Sequence, residues 1–261
     1  MNLEAVIVCV DYADFLRETL PHNLQHFDRV VVVTRPGDGE TLGVCRRLGV
    51  DCRATDVMYA HGETFNKGRA VDYGLGYLSR RDWVVHLDAD LYLPPTTRER
   101  IVEAMPDEQC IYGIDRVNCV GYQRWRAFIG DSMGRHQWHE HCILAPPPFP
   151  LASRIVLREH GGYVPIGFFQ LWHGRHGRRY PLNQGDAEHT DVLHALQWPT
   201  RNRRLLGGVI GVHLESEDSA MGVNWRGRQT SRFGPAGQMR AVDQTQVSGG
   251  YGATATFARG A

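Results

Sequence analysis

Lysine is almost absent: of the 29 basic side chains in this 261-residue chain, 28 are arginine and one, Lys67, is lysine. Against that background Lys67 marks a place where a compact ammonium, able to sit on phosphate as a point charge, is wanted instead of a planar guanidinium. The alternative is an ordinary surface lysine. Closely spaced cysteine pairs are missing too. Cys9, Cys45, Cys52, Cys110, Cys119 and Cys142 stand apart with no Cys-x-x-Cys, which argues against a disulfide framework or a cysteine zinc cluster and predicts reduced, structural thiols. No apolar run reaches the roughly 18 residues of a membrane span, and no basic segment precedes an apolar one at the start, so a soluble, cytoplasmic protein is expected. Nor does a glycine-rich phosphate loop follow the first apolar run, where Val10-Asp-Tyr-Ala-Asp14 stands. That absence speaks against a nucleotidyltransferase.

Net charge is zero, but its distribution is uneven. Residues 1–115 carry 12 basic and 19 acidic side chains (net −7), residues 116–261 carry 17 and 10 (net +7), and nine of the thirteen histidines fall in the second half. Such asymmetry speaks to partners rather than to fold. With 42% hydrophobic residues the chain can bury a substantial core. One domain is expected over residues 1–233, its first half spanning 1–115 and its second half 116–233. Residues 234–261, rich in Gly, Ala, Ser, Thr and Gln, read as a flexible tail or lid.

Periodicity orders the first half as alternating strands and helices. Glu4–Val10 reads as a buried strand, followed by a helix with Phe15, Leu16, Leu20 and Leu24 on one side and a bend or restart at Pro21. Phe27–Thr34 gives a second strand, a second helix ends near Gly49, and a short third strand covers 50–55. A helix opening at Phe65-Asn-Lys-Gly-Arg-Ala70 then leads into Trp83-Val-Val-His-Leu-Asp-Ala-Asp90. This alternation predicts an α/β, Rossmann-like, mostly parallel sheet with helices on both faces. Further on, a helix over 96–104, strands over 109–115 and 162–172, an acid-led helix from Asp186 and a Gly-punctuated strand delivering His213 are expected.

In such folds ligands collect outside the carboxyl ends of parallel strands, and Asp88-Ala89-Asp90 closes an apolar run at that place. One intervening residue lets both carboxylates converge on a hard cation, Mg²⁺ or Mn²⁺, whose other positions go to water and phosphate oxygens. The alternative is a polar strand end. Asn66-Lys67-Gly68, a helix, a buried strand and Asp88-x-Asp90 together resemble the GT-A nucleotide-sugar glycosyltransferases, in particular family 2, over residues 4–232.

That resemblance implies a GT-A fold in which 1–115 binds the nucleotide sugar and 116–233 faces the acceptor. It places donor contacts at Val10 and Asp11, Thr34 and Asp38, Asp56, Asn66 and Lys67, with Asp88 on ribose or metal and Arg226 and Arg228 on the diphosphate. The family's Asp-Asp-Gly-Ser is replaced here by Thr34-Arg-Pro-Gly-Asp38. Implied metal ligands are Asp88, Asp90 and His213; imidazole suits Mn²⁺ better than Mg²⁺, so manganese is favoured, with a UDP-sugar as donor. The candidate general bases of an inverting transfer are Asp191, Glu188 and His189, Asp191 being preferred. Acids favoured by the dipole at a helix N-terminus are the structural alternative.

His136, His139, His141 and Cys142 lie within seven residues and invite a zinc site, though without recognised finger spacing. Nine arginines (124, 126, 135, 175, 178, 179, 201, 203 and 204) interleave with Tyr122, Trp125, Trp138, Trp172, Tyr180 and Trp198, and Trp172-His173 is expected at an exposed aromatic strand end. Arginine pairs with phosphate and aromatics stack on bases, so the expected acceptor is a hydroxymethylated base in DNA, as for the compact phage glycosyltransferases the chain resembles. A saccharide, lipid or protein acceptor is the alternative. A non-catalytic module that binds sugar nucleotides is a more distant one.

Overall fold

A computed structural model of the chain describes residues 1–130, 156–157, 161–182, 187, 189–216 and 232–233. The first half alternates as expected: β1 (Leu3–Val8), α1 (Ala13–Asn23), β2 (Arg29–Thr34), α2 (Gly39–Leu48), β3 (Asp51–Ala54), α3 (Lys67–Leu75) and β4 (Trp83–Asp88). Next come β5 (Leu91–Tyr92), α4 (Thr97–Glu103), β6 (Ile111–Val120), α5 (Tyr122–Gly130), β7 (Val156–Leu157), β8 (Gly162–Tyr163), β9 (Phe169–His173), α6 (Thr190–Ala195) and β10 (Arg203–Glu215). Eight strands form one sheet in the order β3-β2-β1-β4-β9-β6-β10-β5, and β7 pairs with β8 separately.

Strands β1 to β4 are parallel neighbours, and β10 runs parallel to β6. Between these blocks β9 is antiparallel to both β4 and β6, so the two blocks point the same way. Val30, Val31, Val32 and Val33 are all buried, the continuous apolar run of a strand covered on both faces. Alternate side chains supply the two layers. Ala5, Ile7, Val30 and Val32 pack with Leu16, Leu20 and Val44 of α1 and α2, whereas Val6, Val31 and Val33 pack with Ala70, Val71 and Leu75 of α3 and Ala195 of α6.

The sheet is not flat. Asp88 ends β4 and Leu91 begins β5 three residues later, a reach of at most about 11 Å. Yet β4 and β5 stand four places apart in strand order, about 19 Å on a flat sheet at ~4.8 Å per strand. The sheet therefore curls until β10 and β5 meet the end of β4. Pairing of β6 with β9 only through Ile111 and Tyr112 leaves the rest of β6 free to diverge. The ladder between β10 and β6 shifts register between Leu205 and Ile210, where Gly208 adopts φ +80°. A side chain would be strained in that backbone state, so the glycine permits the bulge.

Several expectations need correction. Helix α1 continues through Pro21 to Asn23 and passes into a 3₁₀ turn at Leu24–His26, because a proline in the final turn forfeits a single helical hydrogen bond. Strand β6 runs on to Val120, well beyond the expected end at 115. Trp172 and His173 are not an exposed strand end: β9 is flanked by β4 and β6, and Trp172 is 2% exposed. Trp125, Tyr180 and Trp198 are core as well. The expected tail 234–261 lies outside the described residues.

A buried polar network crosses the layer between sheet and α6. The Tyr180 hydroxyl donates to Gln170 Oε1 and so accepts from His86 Nδ1 at 2.8 Å; His194 Nδ1 meets the same Gln170 oxygen at 3.0 Å. The Tyr180 and His194 rings stack 3.9 Å apart. Burial, with the Lys67 charge and then His194 adding, pushes His86 well below the ordinary imidazole range, and burial with Arg178 adding takes His194 down to about 3. Both rings are neutral in the folded protein and regain ordinary basicity on unfolding. The stability present above about pH 6.5 is therefore lost progressively as pH falls, by about 1.4 kcal/mol per pH unit for each ring. Urea unfolding between pH 7 and pH 5 is expected to show this loss, and His194→Gln to remove about one proton from the uptake on unfolding. A pH-independent unfolding free energy over that range would contradict it.

Candidate active site

Because β4, β6 and β10 point the same way, Asp88, Asp90 and His213 arrive at one end of the sheet. Helix α3 is capped there by Asn66, whose Oδ1 accepts from the Arg69 N–H at 3.0 Å. This sets Lys67 in the first turn, with Nζ 2.6 Å from Asp88 Oδ1 and both side chains a quarter exposed or less. Burial works against the Lys67 charge, but Asp88, then Asp191 and Asp90, outweigh it and hold the ammonium above its ordinary range. Burial also pushes Asp88 up, Lys67 opposing and Asp90 adding. One lysine is thus gathered with three carboxylates.

Asp191 lies in the first turn of α6. Its Oδ2 accepts the Gly167 N–H, and its backbone carbonyl accepts from Gln170 Nε2 at 2.8 Å, tying it to the buried network. A Cβ at residue 167 would come within 2.8 Å of Asp191 Cβ, so glycine is what lets the two segments approach. His189 precedes the helix, exposed and in the left-handed region at φ +60°.

On the far side of the sheet end, Asp90 and His213 are 6% and 5% exposed. The Leu214 N–H donates to the Asp90 carbonyl at 2.8 Å, and His213 pairs in register with Leu91 of β5. His213 Nε2 lies 3.4 Å from Asp90 Oδ1, and that buried oxygen finds no hydrogen-bond partner among the described residues. Glu215 Oε1 lies 3.3 Å from His213 Nδ1. No expectation included Glu215, although the signal was legible: residues two apart on a strand share a face. Among the described residues, no group of three or more His, Cys, Asp or Glu side chains closes into a metal cluster.

The expected donor-side residues are placed as follows. Asp38 is 4% exposed, and its oxygens accept from the Asp11 N–H (2.9 Å), the Thr34 hydroxyl (2.8 Å) and the Thr41 N–H (3.1 Å). Asp38 thus caps α2 and is tied to Thr34 and to the Asp11 backbone. Asn66 is likewise committed to its cap and to the Leu182 carbonyl. Val10 is half-buried against the α3 layer. Asp56 is exposed, and Asp11 is held bidentately by Arg35 at 3.0 and 2.8 Å. Arg35 was not anticipated. Glu188, Arg226, Arg228 and the His136, His139, His141, Cys142 group lie outside the described residues.

Comparison with known proteins adds a family model. The model for glycosyl transferase family 2 matches residues 5–161, more than half of the 261-residue chain. No curated protein matches the chain at a significant level. Among solved structures, it is similar to mannosyl-3-phosphoglycerate synthase from Rubrobacter xylanophilus, at 21% identity over 44% of this chain and 41% of that one, with a TM-score of 0.36. It is also similar to glucosyl-3-phosphoglycerate synthase from Mycobacterium tuberculosis in complex with phosphoglyceric acid, at 15% identity over 81% and 71% of the two chains, with a TM-score of 0.47.

The pairing of Lys67 with Asp88 has a measurable consequence. Removing one partner of a largely buried ion pair strands the other, at a cost of about 3 kcal/mol. Lys67→Met is expected to lose about that much in urea unfolding, and adding Asp88→Asn to recover more than about 1 kcal/mol of it. Strict additivity of the two substitutions would show that the pair is uncoupled.

Proposed function

The chain belongs to glycosyl transferase family 2 and is a glycosyltransferase, and from that premise we propose metal-assisted, inverting transfer of a sugar from a nucleoside-diphosphate sugar to an acceptor hydroxyl. The carrying observation is the buried Asp90 Oδ1 without a hydrogen-bond partner, facing His213 Nε2 at 3.4 Å. A carboxylate oxygen and an imidazole nitrogen with facing lone pairs fit a divalent cation, and the mixed donor set favours Mn²⁺ over Mg²⁺. When bound, the cation offsets negative charge on the departing nucleoside diphosphate.

The chain's own residues do the rest. Lys67, held charged by its carboxylate neighbours, meets the diphosphate, with Asp88 orienting it through the 2.6 Å contact. Asp191 Oδ2 is fixed by the Gly167 N–H, so Oδ1 is the atom that accepts the acceptor proton. The acceptor oxygen then bonds to the anomeric carbon as the bond to the diphosphate breaks. Asp11, Arg35 and Asp56 are the candidate contacts for the nucleotide base, and a UDP-sugar is the first donor to assay.

The acceptor reading shifts from the DNA base toward a saccharide, lipid or protein hydroxyl. Four of the six aromatics offered for base stacking, Trp125, Trp172, Tyr180 and Trp198, are core. Of the nine arginines, Arg126, Arg175, Arg179 and Arg204 sit in ion pairs, Arg178 lies over Trp198, and Arg203 is buried. A DNA acceptor keeps only residual electrostatic support.

A donor panel with nucleoside-diphosphate detection tests the reading, with hydroxymethylated DNA among the acceptors. Asp90→Asn and His213→Ala are expected to abolish transfer with the fold intact, and Asp191→Asn to lower kcat by about 10²- to 10⁴-fold. Full activity of His213→Ala in excess EDTA would sink the metal assignment. Near-normal turnover of Asp191→Asn, with loss in Glu188→Gln or His189→Ala, would move the base.

A further inference from the structure

We propose that Glu215 is a positioning residue for His213: its carboxylate takes the Nδ1–H of the imidazole, fixes ring and tautomer, and so presents the Nε2 lone pair to the divalent cation. The proposal rests on the metal-assisted reading above and adds a residue to it.

The backbone leaves His213 little freedom. It pairs with Asn118 on one side and Leu91 on the other, while the Gly121 N–H donates to the Glu215 carbonyl at 2.8 Å. What remains open is the ring's rotation and which nitrogen carries the proton. A neutral imidazole has one N–H and one lone pair, and the hydrogen bond made by one nitrogen decides which atom the other presents. Here two carboxylates stand at opposite edges of one buried ring: Glu215 Oε1 at 3.3 Å from Nδ1, within ion-pair reach but not aligned as a hydrogen bond, and Asp90 Oδ1 at 3.4 Å from Nε2. A proton on Nδ1 faces the Glu215 carboxylate, a small ring rotation away from a hydrogen bond, and leaves Nε2 and Asp90 as two facing electron-pair donors, an arrangement that a cation resolves. The opposite tautomer sets a bare Nδ1 against the Glu215 carboxylate.

Glu215 differs from Glu4 and Asp38, two other buried carboxylates of this fold. Glu4 accepts from the Ser79 N–H, the Ser79 hydroxyl and the Arg80 N–H, and Asp38 accepts three protein donors. Among the described residues the ion-pair partner of Glu215 is His213 alone, although Glu215 is 5% exposed. A histidine that ligates a metal commonly donates its second N–H to a carboxylate, and losing that carboxylate lowers metal affinity by about 10- to 100-fold.

The test is titration with Mn²⁺ alone, read as free Mn²⁺ by electron paramagnetic resonance, together with ¹⁵N imidazole spectra of the metal-free protein. Glu215→Ala is expected to weaken Mn²⁺ binding by about 10- to 100-fold and to shift His213 from the Nδ1–H tautomer. Glu215→Gln, which keeps the volume and one acceptor oxygen, is expected to weaken binding less, by about threefold or more, with an unchanged Tm. It carries the comparison if the alanine variant fails to fold. Affinity within twofold of the parent in the glutamate variants, with Mn²⁺ binding lost in His213→Ala, overturns the proposal and leaves the metal reading standing. Weakened binding with an unchanged tautomer also overturns it, since Glu215 would then be a ligand itself. Unchanged Mn²⁺ binding in His213→Ala removes the metal reading and this proposal together.

Discussion

Only Ala89 and Asp90 separate the end of β4 from the start of β5, and the fold is bent to make that distance work. Because Asp88-Ala89-Asp90 is too short to cross a flat sheet to the far edge, the sheet curls and brings β10 against the segment that leaves β4. The same link carries both aspartates. Asp88 stays on the α3 side and meets Lys67, while Asp90 is pulled across to β10, where its carbonyl accepts the Leu214 N–H. Closure and site construction are one event: the hydrogen bond that closes the sheet also sets His213 beside Asp90.

Electrostatics then divides the site in two. On the α3 side an ammonium is held among carboxylates, so the protein supplies its own counter-charge. On the β10 side two buried carboxylates and an imidazole are gathered with no lysine or arginine among the described residues paired to them. Buried acids without a cation are costly. That imbalance is the physical reason to look for a divalent ion there.

Much of this was legible in the chain. The four-valine run of β2, the alternating layers of β1 and the turn of apolar chain into Asp88-x-Asp90 predicted a Rossmann-like sheet with its site at the strand ends, and the strand order agrees. Lys67 stood out by composition alone. The reading failed where burial depends on partners distant in sequence. Trp172 looked like an exposed strand end because a polar stretch follows it, but β9 is inserted between β4 and β6, which no local pattern announces. Asp38 shows a second limit: an acid at a strand end is equally a helix cap, and the three donors around it, which make it one, come from three separate stretches of chain. Glu215 was passed over although His213-x-Glu215 has the strand period, because its meaning required knowing that this end of β10 is buried.

The central claim is that a divalent cation is held between Asp90 and the Nε2 of His213. Pulsed electron paramagnetic resonance on the Mn²⁺-loaded protein tests it most directly, since a directly bound imidazole nitrogen modulates the echo of the metal. The account predicts nitrogen modulation in the parent protein that disappears in His213→Ala. Bound Mn²⁺ whose echo carries no nitrogen modulation, or modulation that survives His213→Ala unchanged, would contradict it.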